Sequence, residues 1–209
     1  MIDDHVPAAF ERFVAAELRA ERFVAPARPL PPGTVTEPLS VPPDVVKQLA
    51  VVAARHTSGL PRAGRTNTVV WTSGDSELLV AIGAVDVQTL DGVVVVSIPV
   101  RCDQSGAAVV HVTFAVGRPD QPAGLYAATQ RRPQGPAVVI DSWGEALVAY
   151  AWSVVLQLVN GLAGAAGRDA QGSRLIAAQL QATANGLSIV PMARHRFAGA
   201  AAAASAVIK

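Results

Sequence analysis

Cysteine, lysine and aromatic side chains are all scarce in this chain of 209 residues, and charged residues make up only 16% of it. The single cysteine, Cys102, rules out an intramolecular disulfide and any multi-cysteine metal centre. Basic residues number 17 against 16 acidic ones, for a formal net charge of +1. No field of one sign therefore draws the chain to nucleic acid or to membrane headgroups. Lys47 and Lys209 are the only lysines, and arginine supplies the rest of the positive charge. Together with abundant alanine and valine, that bias fits a GC-rich bacterial genome more than a particular function.

Catalytic and phosphate-binding motifs are missing as well. The sequence has no Gly-x-x-x-x-Gly-Lys-Ser/Thr loop, no Gly-x-Gly-x-x-Gly after a strand, no Gly-x-Ser-x-Gly elbow and no His-Glu-x-x-His helix. His5, His56, His111 and His195 stand far apart, so no metal site and no cofactor is expected. The N-terminal stretch MIDDHVPAAFERF is acidic at its start and lacks a long apolar core. It does not read as a secretory signal, and a cytoplasmic location is expected.

Proline, by contrast, is concentrated. Seven of the 15 prolines lie between Pro26 and Pro43. Each lacks an amide hydrogen and has a fixed φ, so the stretch excludes a helix interior or a central strand. This gives four parts: an N-terminal amphipathic helix within residues 1–24, a proline-rich linker over 25–43, an α+β domain over 44–197, and an Ala-rich, disordered tail over 198–209. In the first part Asp3, Asp4 and Pro7 signal a helix start. Phe10, Phe13, Val14 and Leu18 then recur at helical spacing as one apolar stripe. Such a stripe needs cover from its own domain, a second copy or another protein.

After the linker, Asp44–Thr57 reads as a helix stopped by Gly59–Pro61. The period then changes to that of strands, at Asn67–Ser73, Glu77–Thr89, Val93–Arg101 and Val109–Gly117. Gly74-Asp75, Asp91-Gly92 and Asp103–Gly106 supply tight turns, so the four strands form an antiparallel meander. The run from Gly124 to Ile140 reads as a further hairpin. Ser142 to Glu145 matches a capping box at the head of a long apolar helix lying on one face of the meander. From Ala146 to Gly167 no residue is charged. That is long enough to span a bilayer, but Gln157, Asn160 and the glycines favour a buried core helix over a membrane span. A short helix is expected near Arg174–Ala184, closed by Asn185-Gly186, and then a strand over Leu187–Val190 stopped by Pro191. The fold class is therefore α+β: an antiparallel meander packed against a long apolar helix, with an N-terminal helical arm.

Few side chains point to chemistry. His111 interrupts the apolar strand VVHVTFAVG, where an imidazole is either a polar surface group or a general base in a cup between sheet and helix. Asp86 breaks the run IGAVDVQTL in the same way. Cys102 lies too close to a turn to sit naturally opposite His111. Arg131-Arg132 and Arg194-His195-Arg196 lack the interleaved aromatics that stack on nucleic-acid bases, so nucleic acid is not favoured. Trp71, Trp143 and Trp152 read as core or interface residues, or as the wall of an apolar pocket.

The reading these features favour is a non-catalytic interaction or assembly component of a bacterial complex. It would dock or self-associate through apolar surface and the stripe of Phe10, Phe13, Val14 and Leu18. The alternative is a small enzyme or ligand-binding protein with a pocket between sheet and long helix, using His111, Asp86 and Trp152.

Overall fold

The computed structural model describes residues 38–60, 66–117, 132–166 and 175–193. The expected N-terminal helix with Phe10, Phe13, Val14 and Leu18, most of the proline-rich linker and the Ala-rich tail lie outside the described residues. Within them the architecture is α+β, with antiparallel sheets against a long helix. In chain order the elements are β1 (Leu39–Val41), α1 (Pro43–Thr57), β2 (Val69–Ser73), β3 (Ser76–Val80), a 3-10 turn (Ile82–Ala84), β4 (Asp86–Leu90), β5 (Val93–Cys102), β6 (Gly106–Ala115), α2 (Ala137–Ala166), β7 (Ile176–Thr183) and β8 (Gly186–Met192).

The meander forms where the turns demand it. Ser73 pairs with Ser76 around Gly74-Asp75, Leu90 with Val93 around Asp91-Gly92, and Cys102 with Gly106 around Asp103–Ser105. Gly92 has φ +68, a left-handed conformation that glycine adopts without steric cost. Where one strand is expected over Glu77–Thr89, the chain breaks at Ile82–Ala84 into β3 and β4. Both lie along the same edge of β5, with Val80 opposite Val100 and Asp86 opposite Ser97. The break accommodates Gly83, whose amide donates to Asn67 O at 3.1 Å. A Cβ on Gly83 would meet the Asn67 side chain at 2.8 Å, so the backbones meet where only glycine fits.

Alternation along β5 and β6 sends Val94, Val96, Ile98 and Val100, and Val110, Val112 and Phe114, into a core where they are almost wholly buried. Each such side chain contributes on the order of 1.5–3 kcal/mol. The core's other wall is α2, about 45 Å long. Val154, Val155, Leu158 and Val159 are buried on several sides of it, because α1, the strands of the meander and the β7–β8 hairpin all pack against it. By length and composition α2 could cross a membrane, and 61% of its most apolar stretch is buried inside the fold.

A three-stranded sheet, β1-β8-β7, completes the structure. It joins the larger sheet where Gly117 bridges Gln181, with Ala182 N donating to Gly117 O at 3.0 Å and Gly92 N to Ala182 O at 2.9 Å.

Five sequence expectations are corrected here. Leu39–Val41, inside the expected linker, is a strand on β8. Pro38 and Pro42 flank it without interrupting it, and an edge strand needs partners on one side only. Of the hairpin expected over Gly124–Ile140, residues 124–131 lie outside the described residues, Gln134 bridges His111 of β6, and the last four residues are the first turn of α2. Its amides at Val139 and Ile140 donate to Pro136 O at 3.0 Å. Ser142 is therefore inside the helix, not its cap. The helix expected near Arg174–Ala184 is β7, whose Leu180 and Ala182 are buried while Gln179 and Gln181 are half-exposed. Pairing with β8 outweighs the helical preference of Ala, Leu and Gln. Pro191, expected to stop the last strand, lies within β8 opposite Ala177.

One buried polar group ties α1 to α2. Tyr150 stacks edge-on to Trp71 with ring centroids 5.4 Å apart, and its hydroxyl donates to Ala54 O and meets Ser58 Oγ, each at 3.3 Å. Burial pushes its phenol well above the ordinary value, against the opposing hydrogen bond from Ser58. The fold therefore keeps the phenol neutral, whereas the unfolded chain ionises it from about pH 10. Its stabilisation is complete below that pH and is lost as pH rises above it. Urea midpoints measured between pH 8 and pH 11.5 should fall more steeply for the natural chain than for Tyr150→Phe. Parallel curves would contradict the neutral buried phenol.

Candidate functional site

The larger sheet has a second face, away from α2, formed by the alternate residues of each strand. Register places Asp86 of β4 opposite Ser97 of β5, and Ser97 opposite His111 of β6. These three make one polar row across the face, about 10 Å from end to end. Ser97 Oγ lies 2.9 Å from His111 Nδ1, and the Ser97 side of this pair is nearly buried while His111 is exposed. The His111 backbone is held from the other side, exchanging hydrogen bonds of 2.8 and 2.9 Å with Gln134. At the opposite end, Lys47 Nζ of α1 approaches Asp86 Oδ2 at 3.7 Å and Gln88 Nε2 donates to the same oxygen at 3.3 Å. Asp86 Oδ1 is buried with no hydrogen-bond partner. An open depression of about 340 Å³ adjoins this end, bounded by Pro43, Asp44 and Lys47 and by β4.

Around the row the face is mixed: Arg101 stands opposite Leu79, and Gln88 and Thr113 flank Val95. Val70 pairs with Leu79 across β2 and β3, and Pro99 with Val109 across β5 and β6. They lie on one side of the row together with Arg101, the partner of Leu79 on β5, and Leu79 is 36% and Val109 42% exposed. On the other side lie Val93, Val95 and Leu90, the last 54% exposed. An antiparallel sheet that faces water normally alternates apolar with polar residues; a strand apolar at nearly every position is one covered on both faces. β5 reads VVVVSIPVRC, the second kind, yet Val95 and Pro99 are only half-buried.

Chemically, the row offers a hydroxyl and an imidazole in contact. In a Ser-His-Asp triad the carboxylate orients the histidine from the side away from the serine. Here Asp86 is beyond Ser97 and does not orient His111. The sheet also separates His111 and Asp86 from Trp152. Trp152 is buried on α2 against Phe114, with ring centroids 5.1 Å apart, on the opposite side of β6. The three pocket residues singled out in the sequence are thus divided: two share the row and the third is core.

Cys102 is not near His111 either. Five residues of β5 separate it from Ser97, about 17 Å, and it has the opposite facing. A hydrogen bond between Cys102 Sγ and Ser105 Oγ at 3.1 Å lowers the thiol's pKa, the largest influence on it. Of the basic groups, Arg132 pairs with Asp141 on the surface; Arg131 and Arg194–Arg196 lie outside the described residues. Among the described residues no three His, Cys, Asp or Glu side chains gather closely enough to hold a metal ion.

Ser97, Leu79, Pro99 and Val109 were not singled out by sequence reasoning. The signal was the missing alternation in β5. Compared with family models, characterised proteins and solved structures, the chain finds no match in any of the three.

Proposed function

We propose that this protein is a non-catalytic interaction or assembly component that docks through the outer face of its larger sheet, with the N-terminal helix as a second docking element. The observation that supports this reading is that Leu79 and Val109 are exposed, beside half-buried Val70 and Pro99, on a sheet whose central strand is composed for burial on both sides. The polar row would give the interface its orientation: a desolvated hydroxyl–imidazole pair favours a partner that satisfies it and penalises one that does not. The partner is another protein or a second copy, in a bacterial cytoplasm.

Leu79→Asp combined with Val109→Asp tests this. Both side chains are exposed, so the melting temperature should change little, whereas partner capture or self-association should fall at least about tenfold as two charges enter an apolar contact. Undiminished association in the folded double variant would remove the outer face from the proposal.

A second reading is favoured by the 2.9 Å contact between Ser97 and His111. It makes the row the polar centre of a small-molecule site. Chemical shifts of the His111 ring that respond to candidate ligands, and do not respond in Ser97→Ala, would support it over the first.

A further inference from the structure

We infer that a second copy of this chain adds to the free edge of β2, so that two larger sheets join through an antiparallel β2–β2 pair about a two-fold axis. The inference does not rest on the docking reading of the outer face.

A sheet edge presents main-chain groups to any further strand, and proteins blunt such edges with short strands, prolines, charges or covering elements. The other edges among the described residues are blunted in these ways. β1 is three residues long and lies between Pro38 and Pro42. The outer edge of β7 is taken by Gly117, which bonds Leu180 O and Ala182 N, and by Asn160 Oδ1, which accepts from Ala177 N at 3.1 Å. On β6, Gln134 holds the His111 backbone, with Pro133 and Pro136 to either side of it. Beside β4 packs α1, and Val87 and Thr89 are buried. β2 has none of these devices. It reads VVWTS, with no proline and no charge, and its register with β3 runs without a bulge. Among the described residues no strand pairs with its other edge.

Hydrogen-bond direction defines what β2 offers. The turn at Gly74-Asp75 makes Ser73 and Ser76 a hydrogen-bonded pair, so Trp71 and Val69 also bond toward β3. Val70 and Thr72 therefore direct their N–H and C=O groups outward, one on either side of Trp71. A copy related by a two-fold axis at Trp71 matches them. Val70 of one chain then faces Thr72 of the other, and every residue of the strand is paired. Trp71 meets Trp71 of the second copy as a non-hydrogen-bonded pair, with Cα atoms about 4.5 Å apart. Aromatic pairs at this spacing stabilise a sheet, and no like charges oppose each other along an uncharged strand. The Trp71 ring is already held in place, with centroids 6.3 Å from Trp143 and 5.4 Å from Tyr150. It is nevertheless only half-buried at the end of the sheet, and the second copy covers what remains.

Sedimentation of the full chain from about 1 μM to about 1 mM tests this. The natural chain should pass from monomer to dimer within that range. Thr72→Pro removes an outward N–H and leaves the ladder with β3 intact, so it should weaken the dimer at least about tenfold. Val70→Lys places a like charge on both copies and should weaken it as much, which keeps the test valid if proline disturbs the strand. Register is read in a Cys102→Ser background. Val70→Cys and Thr72→Cys chains, mixed and oxidised, should form a disulfide between copies, because paired Cα atoms lie about 5.5 Å apart. Either chain alone should form several-fold less, since its two cysteines sit on the diagonal, about 7–8 Å apart. A monomer throughout, a dimer indifferent to both edge variants, or equal disulfide yields with and without mixing would each overturn the inference. So would a dimer that only Leu79→Asp/Val109→Asp disrupts, and that result would leave the docking face standing.

Discussion

Gly186→Ala is expected to cost about 3–5 kcal/mol, enough to threaten a domain of ordinary stability. Gly186 opens β8 with φ +121, a conformation L-residues rarely adopt. Worse, an added Cβ would lie 1.9 Å from Val41 O and 3.0 Å from Val41 C. Both contacts are to backbone, so no rotamer change relieves them. Val41 pairs with Leu187 and leads directly into α1, whose first turn is closed by Val46 N donating to Pro42 O at 3.0 Å. Relief therefore requires β1 and the head of α1 to move away from β8. Urea denaturation should show a large fall in midpoint, and the amides of β8 should exchange faster with solvent. A loss below about 1 kcal/mol would contradict the close approach of β1 to this turn.

Trp152→Ala should destabilise the fold by a similar amount, about 3–5 kcal/mol, through the opposite defect. Trp152 is 5% exposed and packs on Phe114, so truncation leaves a cavity between α2 and the inner face of the meander. Trp152→Phe keeps most of the volume and should recover more than half of that loss. If alanine proved tolerated, α2 would not be the principal wall of this core. The experiment also bears on the apolar character of α2: a helix that spends its apolar sides on a protein core loses stability in water when they are cut.

Much of the fold was legible because tight turns leave little freedom. Asp91-Gly92 and the turn at Asp103–Ser105 fix which residues of β4, β5 and β6 face one another. Counting back four residues from Leu90 and Val93 puts Asp86 opposite Ser97. Counting five from Cys102 and Gly106 puts Ser97 opposite His111. The polar row was thus latent in the turn positions, although Asp86 and His111 drew attention only singly, as interruptions of apolar runs.

Other elements were hidden for identifiable reasons. β7 is built of Ala, Leu and Gln, residues that favour a helix until β8 offers a ladder. The true start of α2 is written in β-branched residues after Pro136, while a plausible capping box stands a turn and a half further on. β1 is three residues long and surrounded by prolines. Its partner is at the far end of the chain, so no local pattern reveals it. The exposure of Leu79 and Val109 could not be recognised until β5 was known to have one face open.

The central claim is that the outer face is covered when the protein works. A photoreactive amino acid placed at Val109 of the full chain, irradiated in the cells that produce it and resolved by mass spectrometry, tests this most directly. One discrete adduct is expected, to residues 1–37, to a second copy or to a single partner protein, at a yield well above that from the same probe at Glu145, which is exposed on α2. A yield from Val109 no greater than from Glu145 would mean that the face is open to solvent, and would contradict the account.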